Sequence, residues 1–550
     1  MDGLEGVDGV EEPVPTPPQA YNVSIDSTLH AANPYLNPSF TERRRLLMGN
    51  RRTVRRTARL SRIANNDSRV CYTIYMPSIV GKLFKTESAV EPTPRPFDAV
   101  YAKAAAAAAT LDFNSAVPLY DQAIALDPLH AEAYYKRGNA LKNLGRLDAA
   151  IASYDQALEH KPGYAYAYCN RGVVQQSLGL TVAALSSYDQ AIAYDPSDAM
   201  AHYNRALLLQ DFSRWDEALA GYDRAIEINP QFSDAHYNRS LTSLFLGNFA
   251  SGWRGYEWRW HNAQRLSIGK PRNFQQPLWL GEDPLAGKRL LLYSEGGLGD
   301  TLQFCRYAKS AAAQGATVLL EVQPPLLDLL THLEGVSRVI ATGNSLPDFD
   351  YQCPLMSLPL AFKTTLDTIP AALKYLNSDR AKIAQWRMRL GERQRPRIGL
   401  VWSGNPGNTI DRRRSIPLAD LAGRLPREFE YFCLQKDVRE EDRATLDSSS
   451  RIFSFDEDSL NFANTAALCE CMDLVISVDT SIAHLSGALG LPTWLLLPHV
   501  PDWRWMRERD DSPWYPTMKL YRQKTAGDWD EVFARVAADL SQQFRSDAQS

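Results

Sequence analysis

The pattern of apolar and polar positions divides the chain into two kinds of sequence, which meet near Arg265. From Phe97 up to that point the pattern repeats. Pro128, Pro162, Pro196 and Pro230 lie 34 residues apart, each ahead of a new helix, and Tyr120, Tyr154, Tyr188 and Tyr222 keep the same interval. So do Ala123, Ala157, Ala191 and Ala225, and Arg137, Arg171, Arg205 and Arg239. Small residues at helix crossings and Pro at each turn between units predict helix pairs. A single pair cannot bury its apolar face, so neighbours stack into a curved α-solenoid. Four full repeats are expected from Phe97 to Phe232. A fifth begins at Ser233, its second helix running into Gly252–Trp260.

After Arg265 the character changes. Pro271 to Pro284 reads as a connector, and short apolar runs then alternate with helical patterns. Buried strands are predicted at Arg289–Ser294, Thr317–Val322, Arg338–Ala341, Ile398–Trp402, Tyr431–Leu434, Leu474–Val478 and Thr493–Leu497. Helices are predicted at Thr301–Gln314, Leu326–Leu333, Asp379–Gly391, Leu418–Leu425, Asn461–Glu470 and Ser481–Leu489. Such alternation gives parallel sheets covered on both faces. The series restarts at Pro396, which implies two Rossmann-like lobes, each binding ligands at the carboxyl ends of its strands. The expected units are residues 1–95, 96–265, 266–385 and 386–545.

Composition narrows the class. Of 550 residues, 45% are hydrophobic and 23% charged, and the net charge of −4 marks neither a nucleic-acid binder nor a membrane-surface protein. Seven cysteines without a CxxC pair argue against a disulfide framework or zinc site, and Cys469 and Cys471 read as core filling. No apolar stretch is long enough to span a bilayer, and residues 1–20 are acidic and proline-bearing rather than signal-like. The expectation is cytoplasmic. The arginine run from Arg43 to Arg62 reads as a solvated, disordered tail, with nucleic acid or anionic lipid as the other reading.

Four loops hold candidate chemistry. In Glu295-Gly-Gly-Leu-Gly-Asp300, between a strand and a helix, Gly297 and Gly299 let backbone approach a ligand and the helix start offers amides to an anion. Asp300 has two readings: a catalytic base facing a cleft, or an N-cap carboxylate. A dinucleotide fingerprint is a rival reading, with Glu321 at the end of the next strand, although GGLGDT is not GxGxxG. The second loop runs from Ser403 through Asn405 to Arg412, Arg413 and Arg414. Its arginines suit a diphosphate or, alternatively, water. The third, Ser477 to His484, places Asp479, Thr480 and Ser481 at a helix start with His484 on its first turn, a plausible phosphate cradle. The fourth joins Pro501-Asp-Trp-Arg-Trp505 to Ser512-Pro-Trp-Tyr-Pro516, whose rings either stack on a ligand or pack the loop. D-x-D occurs at three unrelated places, and Walker A, HExxH and GxSxG are absent from the sequence.

Together these residues show a resemblance. The 34-residue repeat is the tetratricopeptide-repeat (TPR) signature. The stretch from about Pro277 to Ala537 resembles glycosyltransferase family 9, the heptosyltransferase-like enzymes with a GT-B fold of two Rossmann-like lobes. The match is closer to bacterial TPR proteins with such a C-terminal half, which carry similar G-L-G-D-T, D-R-x-R-S and P-W-Y-P segments. The resemblance implies that Asp300 is the catalytic base and that Ser403, Asn405, Arg412, Arg414, Asp479, Thr480, Ser481 and His484 hold a nucleotide-sugar. It departs from the family where Arg replaces a lysine, Ser481 a glycine, and Ile482-Ala483 a Leu-Ser pair. The implied activity is inverting sugar transfer without metal or cofactor, to a protein or glycan acceptor. Lys136, Asn170, Asn204 and Asn238 recur at one position of successive repeats, where in TPR families a groove receives a peptide or protein. Two alternatives stand beside it: a non-catalytic interaction scaffold with a vestigial nucleotide site, and an NAD-dependent oxidoreductase.

Overall fold

The computed structural model describes residues 95–262, 272–407, 411–456 and 459–547. The arginine run and the tail reading of residues 1–95 lie outside the described residues, apart from Arg95 itself.

The first part is a stack of helix pairs. Its helices are α1 Pro96–Ala109, α2 Phe113–Leu126, α3 Ala131–Asn143, α4 Leu147–His160, α5 Ala165–Ser177, α6 Thr181–Tyr194, α7 Ala199–Asp211, α8 Trp215–Ile228, α9 Ser233–Phe245 and α10 Phe249–Tyr256. The recurring tyrosines are sealed, at most 1% exposed. They explain the small residues: a Cβ on Gly138 or Gly172 would lie 2.6 or 2.7 Å from the ring of Tyr154 or Tyr188. Each recurring arginine pairs with an aspartate on the second helix of the preceding repeat, as Arg171 does with Asp155 at 2.6 Å. Turns within a pair need left-handed backbone, supplied by Gly145, Gly179 and Gly247. Leu111 and Ser213 hold the same turn position at φ 64° and 57°, a conformation costly for a residue with a Cβ.

Two all-parallel sheets follow. The first has the order β3-β2-β1-β4, from β1 Arg289–Tyr293, β2 Thr317–Val322, β3 Val336–Ala341 and β4 Tyr351–Pro354. The second has the order β10-β9-β8-β5-β6-β7, from β5 Arg397–Val401, β6 Glu430–Cys433, β7 Ile452–Phe453, β8 Leu474–Val478, β9 Thr493–Leu497 and β10 Met518–Arg522. The predicted strands form within one or two residues of their expected bounds. Edge strands β4, β7 and β10 were not expected, because they are short or break their apolar run with residues such as Lys519.

The helices differ more. The single helix expected at Thr301–Gln314 is two, α11 Leu298–Phe304 and α12 Tyr307–Ala313. Between them Arg306 Nε takes the Gln303 carbonyl, at 2.7 Å, that a continuous helix would offer to Tyr307. Helices α13 Arg380–Leu390, α15 Phe462–Cys469 and α16 Ser481–Ala488 agree with expectation, whereas α14 Glu440–Ser448 and α17 Asp530–Asp547 were not foreseen. The predicted boundary near residue 265 is not a break in packing. Trp215, Phe249, Trp253 and Tyr256 of the solenoid share one buried cluster with Leu292 and Phe304 of the first sheet unit and Leu485, Trp505 and Trp514 of the second.

Candidate functional site

The carboxyl ends of strands from both sheets meet. The chain leaves β1 through the glycine loop into α11, which starts early enough to put Asp300 in its first turn. Asp300 Oδ2 accepts the Gly297 N–H at 2.8 Å, so Asp300 is not the N-cap but the third helical residue reaching back to it, as in a capping box, while Oδ1 accepts Arg504 Nη2 at 2.5 Å from the other sheet unit. Arg504 lies on the turn Trp503–Trp505 after β9, and also reaches Asp502 at 2.9 Å and Gln303 at 2.6 Å. Burial works against its charge, but Asp502 and Asp300 outweigh it and hold the guanidinium protonated beyond its usual range. Sequence reasoning singled out the ring-rich loop, but nothing local marked Arg504 as the partner of Asp300.

Glycine is required here. A Cβ on Gly299 would lie 2.7 Å from His484 Cδ2, so its absence lets the two units touch. A Cβ on Gly296 would collide with the Asp300 carboxylate, whereas Gly297 has ordinary φ and serves through its N–H. The loop is fixed at both ends. Gln323 bonds the Gly296 carbonyl and the Thr301 hydroxyl. Glu295 is gripped by Nε and Nη2 of Arg259, at 2.8 and 2.9 Å. Arg259 comes from the solenoid's last turn, 1% exposed, and also donates to Glu257 and Ser357 at 2.7 Å each. The sequence reading missed it.

On the second unit, Ser403 is buried behind the loop, paired with Gln435 through both its N–H and its hydroxyl. Asn405 is exposed and caps Gly407 at 2.8 Å. Arg412 is exposed, and Arg413 reaches back to Asp211 of the solenoid at 3.4 Å. Arg414 is half-sealed between Asp411 and the Asp479 carbonyl. Asp411 is buried and also paired with Arg439, a cation the sequence did not flag.

Asp479 follows β8 with its carboxyl mostly buried. Burial and then neighbouring Asp502 push its pKa up to about 6, against the pull of Arg414 and Arg504. Thr480 precedes α16, its hydroxyl 3.2 Å from Ser477 Oγ, and with Ser481 it remains partly open at the helix start. His484 is 5% exposed. Its Nδ1 sits 2.9 Å from the Tyr515 hydroxyl and its ring stacks on Trp505. Burial, then Arg504, Arg306 and Arg414, drive its pKa well below 6.5, so the ring is neutral. It meets Gly299 rather than open solvent.

Asp300, Arg504, Asp502, Asp479, His484 and Arg414 therefore form one neighbourhood, with Thr480 and Ser481 at its rim and Asn405 and Arg412 on the exposed loop beside it. The rings of Trp503, Trp505, Trp514 and Tyr515 are buried, which favours packing over ligand stacking. Glu321, the expected ribose acid of the dinucleotide reading, is 1% exposed and paired with Arg272.

The recurrent groove residues are partly spent between repeats. Asn170 Nδ2 donates to Tyr135 at 3.1 Å, and Asn238 Nδ2, in a buried residue, to Tyr203 at 2.8 Å. Asn204 Nδ2 lies 3.8 Å from Cys169 Sγ, and Lys136 sits 5.8 Å from the Tyr135 ring.

Comparison with known proteins places the solenoid. Models described as TPR repeat or tetratricopeptide repeat match residues 119–152, 138–179 and 170–241. A curated relative is Protein FlbA of Caulobacter vibrioides, 26% identical over 324 residues. The match covers 54% of this chain and 53% of FlbA, so the chain spans about half the length of that relative. Among solved structures, MamA is 22% identical over 30% of this chain and 96% of its own, with a TM-score of 0.27. A thermophilic TPR protein of Thermus thermophilus is 18% identical over 30% and 92%, also with a TM-score of 0.27. The chain thus carries a tetratricopeptide-repeat solenoid, a surface suited to contact with other proteins, joined to parallel-sheet α/β units. No helix among the described residues is long and apolar enough to cross a membrane.

Proposed function

We propose that the two-sheet unit is a glycosyltransferase of the family 9-like, GT-B class, and that the solenoid recruits its protein partner or acceptor. One observation carries the reading. Loops at the carboxyl ends of β1, β5, β8 and β9, from two separate parallel sheets, converge where Asp300 meets Arg504. Ligands of parallel α/β sheets bind at such strand ends.

The proposed donor is a nucleotide-sugar. Its diphosphate lies between the Arg412–Arg414 loop and the amides at Thr480–Ser481, which meet negative charge as it builds on the leaving group. Asp300 takes the proton of the acceptor hydroxyl, and the freed oxygen attacks the anomeric carbon from the face opposite the nucleotide. Arg504 holds Oδ1 and the Gly297 N–H holds Oδ2, which fixes the carboxylate and leaves each oxygen a further acceptor position for the hydroxyl proton. The chemistry of this reading rests on a carboxylate base and arginine donors, without a metal.

The test is release of nucleotide from UDP-, GDP-, ADP-, dTDP- and CMP-sugars by the full chain in the presence of mixed protein and glycan acceptors. Loss of a general base costs about 10²- to 10⁴-fold, so Asp300→Asn should fall by that order. Undiminished turnover in Asp300→Asn would remove Asp300 from the role. The ion pair of Asp300 with Arg504 and the sealing of His484 favour a second reading, a nucleotide-binding scaffold without turnover. Binding of a nucleotide-sugar with no release in the wild-type protein would select it.

A further inference from the structure

Both groups that hold Asp300, the Gly297 N–H and Arg504, sit on segments that rest on the end of the solenoid. The first is the glycine loop. Gly296, Gly297 and Gly299 give it backbone freedom and no side chains with which to anchor itself, so its path is set from its ends. At the β1 end, Glu295 is buried and receives the Arg259 fork, and its Oε1 also accepts the Met356 N–H at 3.1 Å. The guanidinium is fixed in its turn. Besides Glu257 and Ser357, the Tyr256 carbonyl accepts Nη1 at 3.3 Å, and the Trp260 ring centroid lies 4.4 Å from Cζ.

The second segment is the turn Trp503–Trp505, which carries Arg504. It packs on the solenoid's last helix pair: the Trp253 and Trp503 rings meet edge to face with centroids 5.3 Å apart, and a Cβ on Gly247 would lie 3.0 Å from Met506 Cε. Trp253 Nε1 also donates to the Thr364 carbonyl at 3.0 Å, which ties α10 to the first sheet unit. Burying an ion pair gains little over packing apolar groups in its place. A planar fork, however, fixes both the distance and the direction of its carboxylate, which neither apolar packing nor a lysine does.

We propose that Arg259 is a positioning residue for the candidate base. Through Glu295 it sets the glycine loop, and with it the Gly297 N–H that orients the Asp300 carboxylate. The solenoid's last turn is then part of the active unit as well as the end of a recruiting arm. The proposal deepens the transferase reading and rests on it.

Hydrogen–deuterium exchange and steady-state kinetics on the full chain test it. Arg259→Lys keeps the charge and loses the fork, and Glu295→Gln weakens the same fork from the loop side. Ser357→Ala is the control, removing a bond from the same buried cluster and leaving the fork intact. Thermal melting establishes which proteins are folded at the assay temperature. Amides of residues 295–300 should exchange faster in the two fork variants and as in wild type in Ser357→Ala. Nucleotide release should fall about 10²-fold in kcat in the fork variants, the scale of a misplaced reacting group, with the donor KM unchanged and Ser357→Ala unaffected. Unchanged exchange over 295–300 in a folded fork variant, a loss that falls on KM, or an equal loss in Ser357→Ala would overturn the proposal. Absence of release in the wild-type protein would defeat the transferase reading instead, and the exchange comparison would still decide whether Arg259 sets the loop.

Discussion

Along the solenoid, Arg137, Arg171, Arg205 and Arg239 each reach an aspartate one helix back, with side chains 21 to 31% exposed and aspartates about half exposed. At the junction, Arg259 and Arg504 are 1% and 8% exposed, and each grips several groups. The residue types are the same, but the settings differ. Solvent screens the repeated pairs, and each ties only neighbours in the stack. The junction pairs cross between units: Arg259 carries the solenoid's end to Glu295, at the start of the glycine loop, and Arg504 carries the second sheet unit to Asp300, at its end. The periodic pairs keep register, while the aperiodic ones position the candidate site.

The sharpest way to break this contrast is Arg259→Met, which strands Glu295 and Glu257. Removing one partner of a buried pair costs about 3–5 kcal/mol, so chemical denaturation should show a loss of that order. A loss below about 1 kcal/mol, the scale of an exposed pair, would erase the distinction. Gly299→Ala is expected to cost about 1–3 kcal/mol by overpacking, because its Cβ meets His484 across the units. Unchanged stability in that variant would mean that the units part easily.

His484 gives a pH-dependent comparison. Its folded-state pKa lies well below the ordinary 6.5. As pH falls below 6.5, the unfolded chain takes up a proton that the folded chain refuses, so this contribution is intact above 6.5 and lost on acidification. Asp479 works in the opposite sense. Its folded form keeps a proton up to about 6, against 3.8 for the free group. The informative quantity is therefore wild type minus His484→Gln. That difference should shift against the wild type as pH is lowered through 6.5, and a flat difference would place the ring in contact with water. The smallest effect is expected for Arg171→Ala, at or below about 1 kcal/mol in urea denaturation. A larger loss would make the repeated pairs structural anchors as well.

The same contrast governs what could be read from the sequence. The solenoid was legible because its packing repeats every 34 residues, so buried Tyr154 and Ala157 announce themselves by position, whereas Gly138 under the Tyr154 ring does not. The central strands were legible because burial on both faces leaves uninterrupted apolar runs, as in Leu474–Val478. Edge strands such as Met518–Arg522 lose that signal on their open side. Within the site, the loops showed through their strand–glycine–helix punctuation. The cations that pair across it did not. Arg259, Arg439 and Arg504 find their partners through topology, 28 to 204 residues away, and no local pattern marks them. Ser403 and His484 were legible as polar residues near strand ends, but their burial was not, since it depends on Gln435 and Tyr515 from other elements.

The most direct test is a thermal-shift comparison of the full chain with UDP-, GDP-, ADP-, dTDP- and CMP-sugars, with NADH alongside. Saturation at about 100-fold over the dissociation constant stabilises a folded protein by about 2.7 kcal/mol, a readily measured shift. A glycosyltransferase site predicts a shift with a nucleotide-sugar that is lost in Arg414→Ala and kept in Arg171→Ala. A shift with NADH alone, or with none of the nucleotide-sugars, would contradict it.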